Sequence, residues 1–154
     1  MARLFPVLLA LLLALPALGA NVRMGVTSFA NASSQTDFDP LEKGFQSMFI
    51  VDLSEVQAFE LVDRGEMVKA QPGDPPGDTA GRKALGQKVG ATHLLSGSFD
   101  VKGEAMTLTA ALVHVPSGKT LMEGKTKGTT EEFFELQKQL LKEVIEATQV
   151  ELAP

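Results

Sequence analysis

From Val22 to Val62 the chain reads VRMGVTSFANASSQTDFDPLEKGFQSMFIVDLSEVQAFELV, and segments of different period follow one another within it. Val22, Met24 and Val26 alternate with Arg23 and Thr27 before the run ends at Phe29, which is the two-residue period of a strand. Ala30 to Asp37 is rich in Asn, Ser and Thr and reads as a surface loop. Asp39-Pro40-Leu41-Glu42 is a helix start. Asp39 is placed to accept from the first orphan amides, Pro40 fits the first helical position, and Glu42 stands where a capping box needs a carboxylate. Leu41, Phe45, Met48, Phe49 and Leu53 then recur at three- and four-residue spacing, so one helix face is buried. Phe59-Glu60-Leu61-Val62 is a second, short strand. Strand, helix, strand is the order of a βαβ unit.

The remaining sequence extends this pattern. Glu66 to Ala70 has room for one or two helical turns, and Gln71-Pro72-Gly73-Asp74-Pro75-Pro76-Gly77-Asp78 interrupts any regular element and reads as an exposed loop. Asp78 or Thr79 caps a further helix running to Val89, with Ala84, Leu85 and Val89 inward and Gly90 as its left-handed stop. Gly81 and Gly86 weaken that helix by about 1 kcal/mol each relative to Ala. His93 to Phe99, Met106 to Val115 and Lys119 to Lys127 read as three strands whose short, glycine-bearing connections make them antiparallel hairpins. Thr129-Thr130-Glu131-Glu132 is a second capping box, opening a long helix with Phe133, Leu136, Leu140, Leu141, Val144 and Ile145 on one side. Its other side carries Glu131, Glu132, Glu135, Glu143, Glu146 and Glu151 with Lys138 and Lys142, which reads as a solvated face or, alternatively, a docking surface for a basic partner. The expected fold is α/β (α+β): a three-layer single domain over residues 21–152 with a mixed sheet of about five strands and helices packed on it.

The amino terminus is an address. Met1-Ala2-Arg3 supplies a positive charge, Leu4 to Leu15 is apolar apart from Pro6, and Pro16 precedes the small-residue stretch Ala17-Leu18-Gly19-Ala20. That is the order of a secretory signal peptide over residues 1–19, with cleavage after Gly19 or Ala20. The apolar run is shorter than the ~20 residues of a spanning helix. No later stretch is apolar enough to cross a bilayer as a helix. The chain is therefore expected to be exported and soluble.

Composition excludes several functions. A net charge of −5 opposes nucleic-acid binding, which wants a basic stripe. The absence of cysteine removes disulfides, thiol nucleophiles, Cys-ligated metals and the lipidated cysteine of a lipoprotein, so an unlipidated chain is expected. His93 and His114 each sit inside a strand pattern, and even if they met across a sheet, two ligands without a third make a poor metal site. Ser96-Gly97-Ser98 lacks the glycine two residues before a serine that a nucleophile turn needs; Gly97 reads instead as a point of close packing against the sheet. No phosphate loop occurs. Asp39 is explained by capping, Asp37 with it lacks the further oxygens of a calcium loop, and Asp63-Arg64 reads as a surface ion pair. No catalytic residue, cofactor or metal ion is expected.

Four collinear pieces carry a resemblance. Met24 to Ser54, with Phe29-Ala30-Asn31, Gly44 and Asp52-Leu53, resembles the opening of the TolB amino-terminal and CsgG-like domain group. FELVDRGEM (Phe59 to Met67), VGATHLLSGSF (Val89 to Phe99) and TLTAALVHVPSGKTL (Thr107 to Leu121) resemble its later strands and turns. The group includes the curli secretion channel, the FlgO proteins, the domain preceding the TolB propeller and the LpoB-type activators of penicillin-binding proteins. The resemblance implies a three-layer α/β domain of the bacterial envelope that binds proteins and is not an enzyme. It implies a protein-interaction module that helps assemble or regulate an envelope complex, with envelope proteins as partners. The alternative is a subunit of a CsgG-like outer-membrane secretion or assembly component, an oligomeric ring. The Ala30–Asp37 and Gln71–Asp78 loops lack the alternating strands of a barrel. Loops on a rigid scaffold carry variable function, which makes Asn31, Ser33, Gln35, Asp37 and Phe38 the candidate interaction surface. Phe38 is also placed to be the hydrophobic staple before the helix, the reading favoured here over a surface anchor.

Overall fold

The alternation at Val22, Met24 and Val26 becomes a ten-residue strand, β1 (Val22–Asn31), in a computed structural model that describes residues 22–152. The elements that follow are α1 (Pro40–Ser54), β2 (Phe59–Leu61), α2 (Arg64–Ala70), α3 (Thr79–Lys88), β3 (His93–Lys102), β4 (Ala105–His114), β5 (Lys119–Thr129) and α4 (Phe133–Leu152). One sheet in the order β2-β1-β3-β4-β5 joins the strands. β1 is parallel to β2 and to β3, and β3, β4 and β5 are successive antiparallel neighbours, so the sheet is mixed as expected. The hairpin turns place Gly103 and Gly118 at φ 61° and 70°, where a side chain would be strained. The expected signal peptide lies outside the described residues.

Helices cover both faces, giving three layers. α1 and α4 close the main core, where Phe29, Phe45, Phe49 and Phe99 meet Leu95, Leu108, Leu136 and Leu140. Phe29 stacks on Phe49 at 5.3 Å, and Phe45 bridges Phe29 and Phe99 at 5.8 and 5.5 Å, within the range of favourable aromatic pairs. α2 and α3 close a smaller core of Val62, Met67, Leu85, Ala91, Leu94 and Val115 on the other face. Phe29 reaches the main core because β1 carries one extra residue between Val26 and Phe29 relative to β3. Such a bulge shifts the two-residue period and returns the ring to the side of Val26. The ring then lies over Gly97, where a Cβ would stand 2.6 Å from Phe29 Cε2 and 2.1 Å from the Thr109 carbonyl oxygen. Gly97 is thus a point of close packing, as the sequence indicated.

Four local readings need correction. Asp39 makes no side-chain cap to α1; its Oδ1 accepts from Asn31 Nδ2 at 2.9 Å, and Glu42 Oε2 accepts from the Asn31 amide at 3.0 Å. Asp63 caps α2 through the amides of Gly65 and Glu66, while Arg64 Nη1 donates to Ser47 at 3.0 Å, so the adjacent pair is divided between two tasks. Ala84 is exposed, and the helix turns Leu85 and Gly86 inward, with Gly86 against Val115. The Ala30–Asp37 loop is shorter than expected, because Ala30 and Asn31 still belong to β1 and Thr36–Phe38 forms a 3-10 turn. The second capping box forms: Glu132 Oε1 accepts from the Thr129 amide and hydroxyl, both at 3.0 Å.

Candidate functional site

The loop singled out from the sequence is held by its own side chains. Asn31 Oδ1 accepts from the Ser33 amide at 3.0 Å and hydroxyl at 2.6 Å, and its Nδ2 donates to the Gln35 carbonyl at 3.1 Å. Gln35 Nε2 reaches across to the Val101 carbonyl at 3.3 Å. These polar groups pin the end of β1 to β3, with the Ala32 amide donating to the Phe99 carbonyl at 2.8 Å. Of the candidate residues, Asn31, Ser33 and Gln35 are half-buried and Asp37 is exposed. Phe38 is half-buried and packs on the edge of the main core.

The histidines stand directly opposite each other in the β3–β4 register, with ring centroids 5.2 Å apart at 65°. His93 is buried beside the Thr92 hydroxyl, 2.9 Å from Nδ1, and His114 Nδ1 is 2.8 Å from the Ser117 hydroxyl. Among the described residues no three His, Cys, Asp or Glu side chains gather as a metal set. Ser96, Gly97 and Ser98 lie within β3 rather than on a turn. No helix among the described residues is long and apolar enough to cross a membrane.

A different surface comes from the crossing of α1 and α4. Ser47, Met48, Val51 and Asp52 form one face of α1, and Phe134, Gln137 and Lys138 form the facing side of α4, each set at helical spacing. Between them lies a groove of about 390 Å³, within the ~300–1,000 Å³ of ordinary binding clefts. Its two rims are apolar and exposed: Val51 is 59% and Phe134 54% accessible. Its base is fixed by a polar bond, because Gln137 is 1% exposed and its Nε2 donates to Asp52 Oδ2 at 3.1 Å. Phe134 is held on Phe133 with ring centroids 4.3 Å apart, and Phe133 in turn meets Phe45 of the core edge-on at 6.3 Å. A large apolar side chain kept in water on a rigid support is the arrangement of an interaction anchor. The sequence reading passed over both residues. The available signal was apolar surplus: Val51 lies off the stripe that Leu41, Phe45, Phe49 and Leu53 complete, and Phe134 duplicates Phe133 where the stripe needs one.

No family model and no curated protein matches the chain. Its fold is similar to the LpoB C-terminal domain from Escherichia coli, at 20% identity and TM-score 0.57 over 79% of this chain and 92% of that one. TolB from Acinetobacter baumannii is similar at 11% identity and TM-score 0.59, over 82% of this chain and 28% of TolB. A lipoprotein from Neisseria meningitidis is similar at 18% identity and TM-score 0.57, over 86% of this chain and 99% of that one. One of these neighbours is a lipoprotein, so the likeness gives no support to the expectation of an unlipidated chain. What is shared at such identities is the fold. It bears out the expected α+β architecture, and it supports an LpoB- and TolB-like fold in place of the CsgG-like name.

Proposed function

We propose that the chain is a non-enzymatic, exported protein-interaction module of the bacterial periplasm that helps assemble or regulate a cell-envelope complex. The observation that carries this reading is the α1–α4 groove, with Val51 and Phe134 exposed above a fixed polar base. Its occupant is an envelope protein that presents an apolar side chain next to basic residues. The apolar part follows from the two rims. The basic part follows from Asp52 in the groove and from Glu131 and Glu135, both exposed within one turn of Phe134, carboxylates that outnumber the Lys138 cation on the groove wall. Exposed carboxylates beside an apolar anchor favour encounter with cationic flanks and discriminate against acidic ones. The reading also uses the amino-terminal address and the likeness of sequence and fold to envelope proteins.

Crosslinking capture from envelope extracts tests it, comparing the native chain with Val51→Asp and Phe134→Ser. The expected result is a defined envelope partner that is lost in both variants while their circular dichroism and unfolding midpoints stay near those of the native chain. Capture unaffected by both substitutions would remove the groove from the mechanism. Self-association that Val51→Asp abolishes would replace the heterologous partner with a second copy of the chain.

A further inference from the structure

The face of the sheet opposite α1 and α4 is only half covered, and the uncovered half is chemically distinct. α3 spans ten residues and packs on β3 and on the end of β4, leaving the β4–β5 half of that face open. Arg82 of α3 stands at the boundary. It lines a groove of about 400 Å³ with Thr109, Glu123 and Lys125, and an adjoining recess of about 200 Å³ with Ser98 and the Pro75-Pro76-Gly77 wall. The floor beneath is small: Ala111 lines both hollows, and Ser96 stands directly opposite it in the β3–β4 register.

Two polar atoms on this face are buried and lack a hydrogen-bond partner among the described residues, Arg82 Nε and Ser96 Oγ. Arg82 also makes no ion pair among the described residues, although Glu123 lines the same groove. A guanidinium is a planar fork of donors matched to two oxygens of one anionic group, and it cannot be neutralised by losing a proton. Burying its Nε without a partner is unfavourable unless a group from outside completes it. Lys125 and Lys127 follow at alternate positions of β5 on the same side, both exposed, in a chain whose net charge is −5.

We propose that this groove binds a small anionic ligand, its carboxylate or phosphate oxygens held by the Arg82 guanidinium and Lys125, with the Ser98 and Thr109 hydroxyls taking the polar body. The groove is on the opposite side of the sheet from Val51 and Phe134, so this site and the docking groove fail or succeed independently.

Titration of the purified chain with inorganic phosphate and, separately, with glutarate at constant ionic strength, followed by amide NMR, tests the assignment. The expected result is a saturable shift with at least one of the two anions, confined to amides around Gly97, Ser98, Thr109 and Ala111. The responding anion identifies the source class. Arg82→Gln should weaken that response by about tenfold or more and Arg82→Lys by less, because the lysine keeps the charge and loses the fork. Lys125→Gln, on an exposed strand position, should weaken it without touching α3, and Lys142→Gln, exposed on α4 across the sheet, should leave it unchanged. Linear, non-saturating shifts with both anions, or a saturable shift that survives Arg82→Gln intact, would overturn the assignment.

Discussion

Gln137 of α4 donates through Nε2 to Asp52 Oδ2 of α1 across 3.1 Å, joining two helices whose bonded residues are 85 positions apart in the chain. Gln137 is 1% exposed and Asp52 is half-buried, so the donor is shielded from water while the acceptor borders the groove. Apolar contact alone leaves a helix pair free to slide by small amounts. A directional bond from a buried donor fixes the separation, and the width of the groove between Val51 and Phe134 follows from it.

Removing the acceptor should therefore cost more than its position on a half-buried helix face suggests. Asp52→Ala leaves the Gln137 amide buried and unpaired, and a loss of ~1–3 kcal/mol is expected. Asp52→Asn keeps an acceptor oxygen and should lose less. Urea unfolding followed by circular dichroism measures both. Equal midpoints for Asp52→Ala and the native chain would mean that the bond holds nothing.

The two phenylalanines at the start of α4 should separate cleanly. Phe133 is half-buried and meets Phe45, whereas Phe134 is 54% exposed. Phe134→Ser is expected to change stability by no more than ~1 kcal/mol, as exposed positions do. Leu140→Ala, at a fully buried position of the same helix, should cost ~2–5 kcal/mol. Thermal unfolding of the two variants checks the contrast, and a large loss in Phe134→Ser would make that ring a core residue and not an anchor.

Gly97→Ala should be among the most damaging small substitutions in the domain. A methyl there would meet the Thr109 carbonyl oxygen at 2.1 Å and the Phe29 ring at 2.6 Å, so backbone and core would both have to move. The expected cost is at or above the ~3 kcal/mol upper end of ordinary overpacking. Gly73→Ala provides the contrast, since nothing lies within 4 Å of its added carbon. It should stay within ~1 kcal/mol of the native chain or gain slightly from a stiffer unfolded state. Midpoints from one denaturant series decide between them.

Periodicity made most of the architecture legible. The stripe from Leu41 to Leu53 and the one from Phe133 to Val144 are the faces that α1 and α4 bury, and the glycines at 103 and 118 sit in the two hairpin turns. What sequence could not supply was the use of polar side chains over distance. Gln46 is 2% exposed and donates to the Val26 carbonyl at 2.8 Å, serving β1 where β2 has already ended. In the sequence it is only one polar residue beside Phe45 in a helix. The Gln137–Asp52 bond is hidden for the same reason. The α1–α4 groove was missed because a stripe model assigns apolar residues to one face and has no place for a surplus such as Val51 or Phe134. The stretch from Ala30 to Asp37 was legible as a loop, but its Asn, Ser and Gln side chains are spent on its own closure.

That closure gives the sharpest test of local chemistry against pattern. A capping reading assigns the Asp39 carboxylate to the amides of α1, and Asp39→Ala would then cost ~1 kcal/mol through helix fraying. In the structure Asp39 accepts from Asn31, which also serves Ser33 and Gln35 and receives Glu42 at its amide. The hub of the network is thus Asn31. Asn31→Ala removes the part-buried donation to Gln35, the exposed one to Asp39 and the part-buried acceptor for Ser33, and should cost ~1–3 kcal/mol. Asp39→Ala removes one exposed bond and should cost about 0.5 kcal/mol or less. Hydrogen exchange separates the two accounts further. Asn31→Ala should speed exchange at the Ala32 amide, which donates to Phe99, while leaving the first turn of α1 nearly unchanged. Faster exchange in α1 after Asp39→Ala, with Ala32 protected in both variants, would restore the cap and reduce Asn31 to a bystander.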